Sequence, residues 1–117
     1  MPILTIQTNV PKSEIPEDFL KVTASLVAEI LRKPLSYVLV QINPDQLLSW
    51  GGGTGRCGHA ELNSIGNLGK EENIALSKQL SSHFEKTLKI PSEKMYIKFE
   101  DLKKENVGYA GTTFAGI

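Results

Sequence analysis

The chain holds a single cysteine, Cys57, so no disulfide can form within it. The same count excludes a structural zinc site built on two or more cysteines, and no metal or other cofactor is expected. No apolar run approaches the ~18–20 residues needed to cross a membrane. The opening residues lack the basic and apolar blocks of a secretory leader, so the expectation is a cytoplasmic protein that reaches the outside, if at all, without a signal peptide. An excess of either charge is also missing: thirteen Lys and Arg balance thirteen Asp and Glu, a formal net charge of zero. That argues against nucleic acid or an anionic membrane as a partner drawn in by overall charge. What is present is a 117-residue chain, 40% hydrophobic, enough for one domain over residues 1–117 with a core of its own.

The pattern along that chain reads as two βαβ halves. Residues 2–8 are rich in β-branched side chains and predict a strand, which Asn9-Val10-Pro11 ends. A helix is predicted from Ser13, with Pro16 in its first turn and Glu17 and Asp18 at its positive end. Ile15, Phe19, Val22, Leu26 and Ile30 share one helical face, and Pro34 stops the run. Residues 37–42 then predict a strand. The second half repeats the order: a strand over 60–65, a glycine-bounded loop, a helix over 71–88 with Ile74, Leu80, Phe84 and Leu88 inward, and a strand over 95–100 after Pro91. Laying Pro34 over Pro91 aligns residues 38–42 with 95–99, a weak internal repeat. The expected fold is α/β (α+β): a four-stranded mixed sheet with two helices on one face. The central strands read as largely apolar, as for strands covered on both sides. Two helices cover only one side, so oligomerisation of sheet against sheet is the economical completion.

Chemistry enters at Pro2. Methionine before so small a residue is normally removed, leaving a secondary amine at the head of a buried strand. A free α-amine titrates at roughly 7.7–8.0, and burial or a nearby cation lowers that by disfavouring the ammonium. Position alone equally fits a plain strand start, where the missing N–H costs nothing. Lys33, at the end of the first helix, fits either a cation favoured by the helix dipole or a partner for Pro2. Tyr96 and Lys98 share one strand face. The run Gly51-Gly52-Gly53-Thr54-Gly55 lacks the Gly-Lys-Ser/Thr ending of a phosphate loop and reads as a connection. His59 and His83 stand alone and read as structural or surface residues.

Together these residues resemble the macrophage migration inhibitory factor (MIF) family of the tautomerase superfamily. The resemblance runs the whole length, through Met1-Pro2, Thr8-Asn9-Val10-Pro11, Lys33-Pro34, Pro44-Asp45-Gln46-Leu47, Trp50-Gly51-Gly52, Ser64-Ile65-Gly66, Met95-Tyr96-Ile97, Asn106-Val107-Gly108-Tyr109 and Thr113-Phe114-Ala115. It implies a homotrimer whose three sheets wrap into a barrel, with pockets between subunits. Pro2, Lys33, Ser64 and Ile65 would come from one subunit, and Tyr96 and Lys98 from its neighbour. Tyr37, Val107, Tyr109 and Phe114 match positions that line or rim the pocket. The implied activity is keto–enol tautomerisation of a small aromatic α-keto acid such as phenylpyruvate, and of D-dopachrome, with Pro2 as the base. The family also implies a secreted, cytokine-like immunomodulator engaging the MHC class II invariant chain or chemokine receptors. A receptor-binding trimer with vestigial catalysis is the alternative.

Departures from the family pattern are informative. Lys98 stands where asparagine is most common, which adds a cation to the implied pocket. Ala60 replaces the second cysteine of the vertebrate Cys-x-x-Cys motif, so the resemblance does not extend to thiol–disulfide exchange by that pair. Lys12 replaces an arginine, while Asp45 is kept, at positions tied to chemokine-receptor engagement in vertebrate relatives. Gly116-Ile117 extends the usual C-terminus.

Overall fold

The computed structural model describes all 117 residues. Strand β1 spans Pro2–Thr8, helix α1 Phe19–Leu31, β2 Leu39–Asn43, β3 Gly58–Ser64, helix α2 Lys70–Leu88 and β4 Met95–Asp101. A short hairpin, β5 Gly108–Tyr109 and β6 Thr112–Thr113, closes the chain. The main sheet has the order β2-β1-β3-β4, with β1 and β3 antiparallel at the centre and each outer strand parallel to its inner neighbour. Two βαβ units thus meet back to back about the β1–β3 pair, as the repeat in the sequence predicts.

The repeat is sharpest where each helix returns to the sheet. Both helices end on a left-handed residue, Arg32 (φ 53°) and Lys89 (φ 58°). Two residues later Pro34 and Pro91 each lead into a single 3-10 turn, and an outer strand follows. The equivalent of Lys33 is therefore Ile90, which is fully buried in the core. One half fills that place with a core aliphatic; the other puts an ammonium there.

Helix α1 begins later than the sequence predicts. Lys12–Glu14 form a separate 3-10 turn, and Ile15 is extended (φ −85°, ψ 127°). The cause is Pro16, whose ring disfavours helical backbone in the residue before it. The buried stripe of α1 is Phe19, Thr23, Val27 and Leu31, spaced by four residues, and Val22 faces outward. In α2 the inward residues are Leu76, Leu80, Phe84 and Leu88. Ile74 is 67% exposed, because two residues before the buried Leu76 falls on the opposite side of a 3.6-residue repeat.

These stripes meet Leu4, Ile6, Ala60 and Leu62 of the central strands in one hydrophobic core. The central strands alternate buried and half-exposed positions along β1 rather than being apolar on both faces. The face away from the helices carries Thr5, Gln7, His59, Glu61 and Asn63, with apolar Ile3 beside Leu39. The expectation of an apolar second face is thus corrected: it is largely polar, which suits the wall of a wet interior better than a dry sheet-on-sheet contact. The outer edges of β2 and β4 pair with nothing in the chain.

Thr23 was missed by hydrophobic patterning because its partner is polar: its hydroxyl lies 2.8 Å from His83 Nε2 on α2, with Phe19 stacked on the imidazole at 5.8 Å. Burial first, and the charge of Lys86 second, lower the His83 pKa below 6.5. The folded state therefore favours neutral imidazole. Its contribution to stability is complete above the unfolded value of 6.5 and is lost as pH falls below it, when the unfolded chain gains a proton the folded chain resists. Urea midpoints at pH 7.5 and pH 5 should drop more for the native sequence than for His83→Gln. Equal drops would remove His83 from the acid response.

Candidate functional site

The first strand starts at the site. Pro2 is buried and pairs with Ser64, the last residue of β3, which is also fully buried. Beyond Ser64 the chain must turn away from β4. Gly66 takes φ 76°, which a glycine accepts without the penalty a side chain would bring. Ser64 Oγ donates to Gly66 O (3.0 Å), and Gly66 N–H donates to Asp101 Oδ1 (2.9 Å). Asn67 Nδ2 donates to Leu31 O (2.7 Å), tying the turn to the end of α1. Ile65 is thereby held between the two ends.

Lys33 is aimed by the close of α1. Its N–H donates back to Ala28 O (3.0 Å) past the left-handed Arg32, the backbone arrangement of a Schellman-type stop. Its half-buried ammonium donates to Ile65 O (2.7 Å) and enters no ion pair. Two of its three donors remain for a ligand. The Ile65 N–H has no protein acceptor.

Two hollows adjoin at the N-terminus, and Met1 lines both. One, about 260 Å³, is bounded by Lys33, Pro34, Tyr37, Ile65, Lys104, Phe114 and Ile117. The other, about 350 Å³, is apolar, with Ile3, Tyr37, Val38, Leu39, Val107, Tyr109 and Phe114. Tyr37 and Phe114 belong to both. Their rings, with Tyr109, make one aromatic cluster: Tyr37 meets Tyr109 and Phe114 edge-on at 5.4 and 5.6 Å, and Tyr109 stacks on Phe114 at 5.4 Å. Met1, bonded to the Pro2 nitrogen, is also common to both, one hollow being lined by two lysines and the other by aromatic and aliphatic residues.

The electrostatics are legible on Met1 itself. Burial first, then the charge of Lys33, hold its terminal amine below the ordinary value of 8.0. With Met1 attached, the Pro2 nitrogen is an amide and has no basic lone pair.

Seven of the sequence-predicted residues and Pro2 therefore gather here: Lys33, Ser64, Ile65, Tyr37, Val107, Tyr109 and Phe114. Tyr96 and Lys98 do not. Tyr96 pairs in register with His59, five residues along β3 from Ser64, or ~17 Å at strand spacing. Its ring packs at a tilt against Trp50, centroids 4.4 Å apart, and it is 70% exposed. Lys98 lies beside Glu61, its Nζ 3.7 Å from the carboxylate. Any part they take in this cleft requires a second chain. Lys104 and Ile117 were missed by the sequence reading; an exposed lysine on a short turn and a residue at the extreme C-terminus carry no local signal of the cleft.

Other quoted motifs are structural. The buried Thr8 hydroxyl donates to Cys57 O (2.8 Å), and Cys57 N–H donates to Asn9 Oδ1 (3.0 Å), fastening the end of β1 to the start of β3. Asp45 N–H donates to Val10 O (3.0 Å), and its carboxylate accepts from Lys12 N–H (3.2 Å).

Comparison with known proteins agrees with this architecture. Residues 1–115 match the family model described as macrophage migration inhibitory factor (MIF). A macrophage migration inhibitory factor homolog of Trichinella spiralis is 46% identical over 114 residues, covering 97% of this chain and 100% of that protein. The macrophage migration inhibitory factor of Xenopus tropicalis is 39% identical over 115 residues, covering 98% and 100%. The solved Trichinella spiralis structure superimposes with a TM-score of 0.94 at 45% identity, covering 96% of this chain and 99% of that one. A homologue from Prochlorococcus marinus gives 0.88 at 31% identity, covering 96% and 98%. The two-helix, four-stranded mixed-sheet fold is thus that of a tautomerase-superfamily protein. This chain belongs to the macrophage migration inhibitory factor family. No helix in it is long and apolar enough to cross a membrane.

Proposed function

We propose that the chain, freed of Met1, is an isomerase that tautomerises small aromatic α-keto acids of the phenylpyruvate type, with D-dopachrome as a further substrate. The observation that supports this is that Met1, the residue bonded to the Pro2 nitrogen, lines both a hollow with two lysines and an aromatic hollow, so its removal would open the space beside Pro2. The substrate carboxylate sits on the Lys33 ammonium, and its ring lies against Tyr37, Val107, Tyr109 and Phe114. The neutral Pro2 amine removes a proton from the carbon next to the carbonyl. Negative charge develops on the carbonyl oxygen and is received by the unpaired Ile65 N–H, and a proton is returned to that oxygen to give the enol. Ser64 acts through the turn that holds Ile65. The working unit is a homotrimer, in which the free β2 and β4 edges of neighbours meet and close the three sheets. It brings the neighbour's Tyr96 and Lys98 to the cleft, Lys98 lowering the Pro2 pKa further.

The test is Lys33→Gln. A hydrogen bond to a charged group is worth about 1.5–3 kcal/mol, so KM for phenylpyruvate should rise roughly tenfold or more. The acidic limb of the pH–rate profile should also move to higher pH, because removing a cation lets the amine hold its proton longer. An unchanged KM and an unmoved limb would contradict the assignment.

A second reading is favoured by the separate hollow of about 530 Å³ between Lys12, Glu17, Phe19, Leu20 and Pro44, beside Asp45. It is a docking place for a cell-surface receptor of the invariant-chain or chemokine-receptor kind, reached after export without a signal peptide. Receptor binding retained by a catalytically dead Pro2 variant would separate the two functions; a purified trimer without receptor affinity would end this reading.

A further inference from the structure

Resting on the reading of the Pro2 cleft as a keto-acid site, we infer that Lys104 is a second anion-binding residue of that cleft and selects ligands with a dianionic head and an apolar tail. Lys104 opens the 3-10 turn Lys104–Asn106, directly before the segment that supplies Val107 and Tyr109. It lines the same hollow of about 260 Å³ as Lys33. No carboxylate side chain lines that hollow, and the Ile117 α-carboxylate, the one anion on a lining residue, pairs with neither lysine. The chain's two ion pairs, Arg56 with Glu14 and Lys98 with Glu61, leave both lysines without a counter-ion. Lys33 has one carbonyl partner, Ile65 O, and Lys104 has no side-chain hydrogen bond at all. Neither ammonium is ion-paired, so the hollow has room for two anionic groups, and one monocarboxylate engages only one of the two lysines.

The position of the pair defines the ligand. Both cations line the hollow that includes Ile65, while the adjoining hollow with Val107 and Tyr109 has no charged side chain, its one charge being the terminal amine of Met1. The second anionic group therefore belongs at the acid end of the ligand and not on its ring. Ile117, which lies beyond the 115 residues matched by the family, also lines this hollow, whose volume of about 260 Å³ suits a compact head group. The chemical class is an aromatic acid bearing two carboxylates, or a carboxylate and an equivalent anion, on adjacent or shared carbons.

Binding without turnover tests this independently of Pro2 chemistry. Cinnamate and benzylidenemalonate share a ring and an alkene and differ by one carboxylate at the acid end. In calorimetric titrations of the Met1-free protein at pH 7 and low salt, benzylidenemalonate should bind about five- to tenfold more tightly than cinnamate. Lys104→Gln should erase that advantage and leave the cinnamate Kd within twofold. Lys103→Gln, which removes an adjacent lysine that does not line the hollow, should preserve it. Equal affinity of the native protein for the two acids, no binding of either, or equal loss of the advantage in both variants would overturn the inference. A protein that binds as expected but fails to tautomerise phenylpyruvate would overturn only the catalytic reading.

Discussion

Replacing Pro2 by glycine is expected to lower tautomerase turnover about 10²–10⁴-fold, the range a positioned general base contributes. Glycine also leaves a free amine after Met1 is removed, but it is a primary amine on a chain end no longer held by a ring. Pro2 enters β1 opposite Ser64, so the amine is fixed by the same register that orders the sheet. Inserting one alanine between Met1 and Pro2 should cause a comparable loss by a different route: the ring stays and its nitrogen becomes an amide. Circular dichroism and solution mass should remain those of the native protein in both variants. Turnover within threefold of native in either one would mean that the base lies elsewhere.

Phe84→Ala should be the most damaging single change to the fold. Phe84 is fully buried at the centre of the α2 stripe between Leu80 and Leu88. Truncating a buried phenylalanine costs about 3–5 kcal/mol through lost burial and the cavity left behind. Typical domains hold about 5–15 kcal/mol in total. The urea midpoint should fall accordingly, with the slope of the transition unchanged. The cleft is formed by β1, the Ile65 turn, the end of α1 and the C-terminal hairpin, so KM of the protein that remains folded should change little. A loss below 1 kcal/mol would show that the core around α2 collapses to refill the space.

The elements were legible where the residues themselves act locally. Pro34 and Pro91 mark equivalent returns to the sheet because a proline cannot extend the helix before it, and the structure gives both the same 3-10 turn. Pro16 was misread at the same level: its fit to a first helical turn concealed its effect on Ile15, which delays α1 to Phe19. The Thr23–His83 pair was invisible to hydrophobic periodicity because two polar side chains satisfy each other inside it. The polar second face was lost by counting apolar residues in a strand without splitting them by side.

The site was legible for a different reason. Pro2, Lys33 and Ile65 lie in separate segments and carry no common spacing, and only the whole-chain resemblance joined them. The structure adds what that resemblance did not contain. Met1 lines both hollows, and Lys104 and Ile117 line the smaller one. Tyr96 and Lys98 stand at a distance within one chain, since β4 is an outer strand whose free edge faces away from β1.

Catalysis in this cleft depends above all on the state of the Pro2 nitrogen. Intact-mass analysis of the native protein, followed by a pH titration of the ¹⁵N-labelled Pro2 amine by NMR, tests it directly. The account expects the mass to lack Met1. It also expects an amine that titrates below the ordinary α-amine range of roughly 7.7–8.0 and moves upward in Lys33→Gln. Retained Met1, or an amine that titrates at or above that range and ignores Lys33, would contradict it.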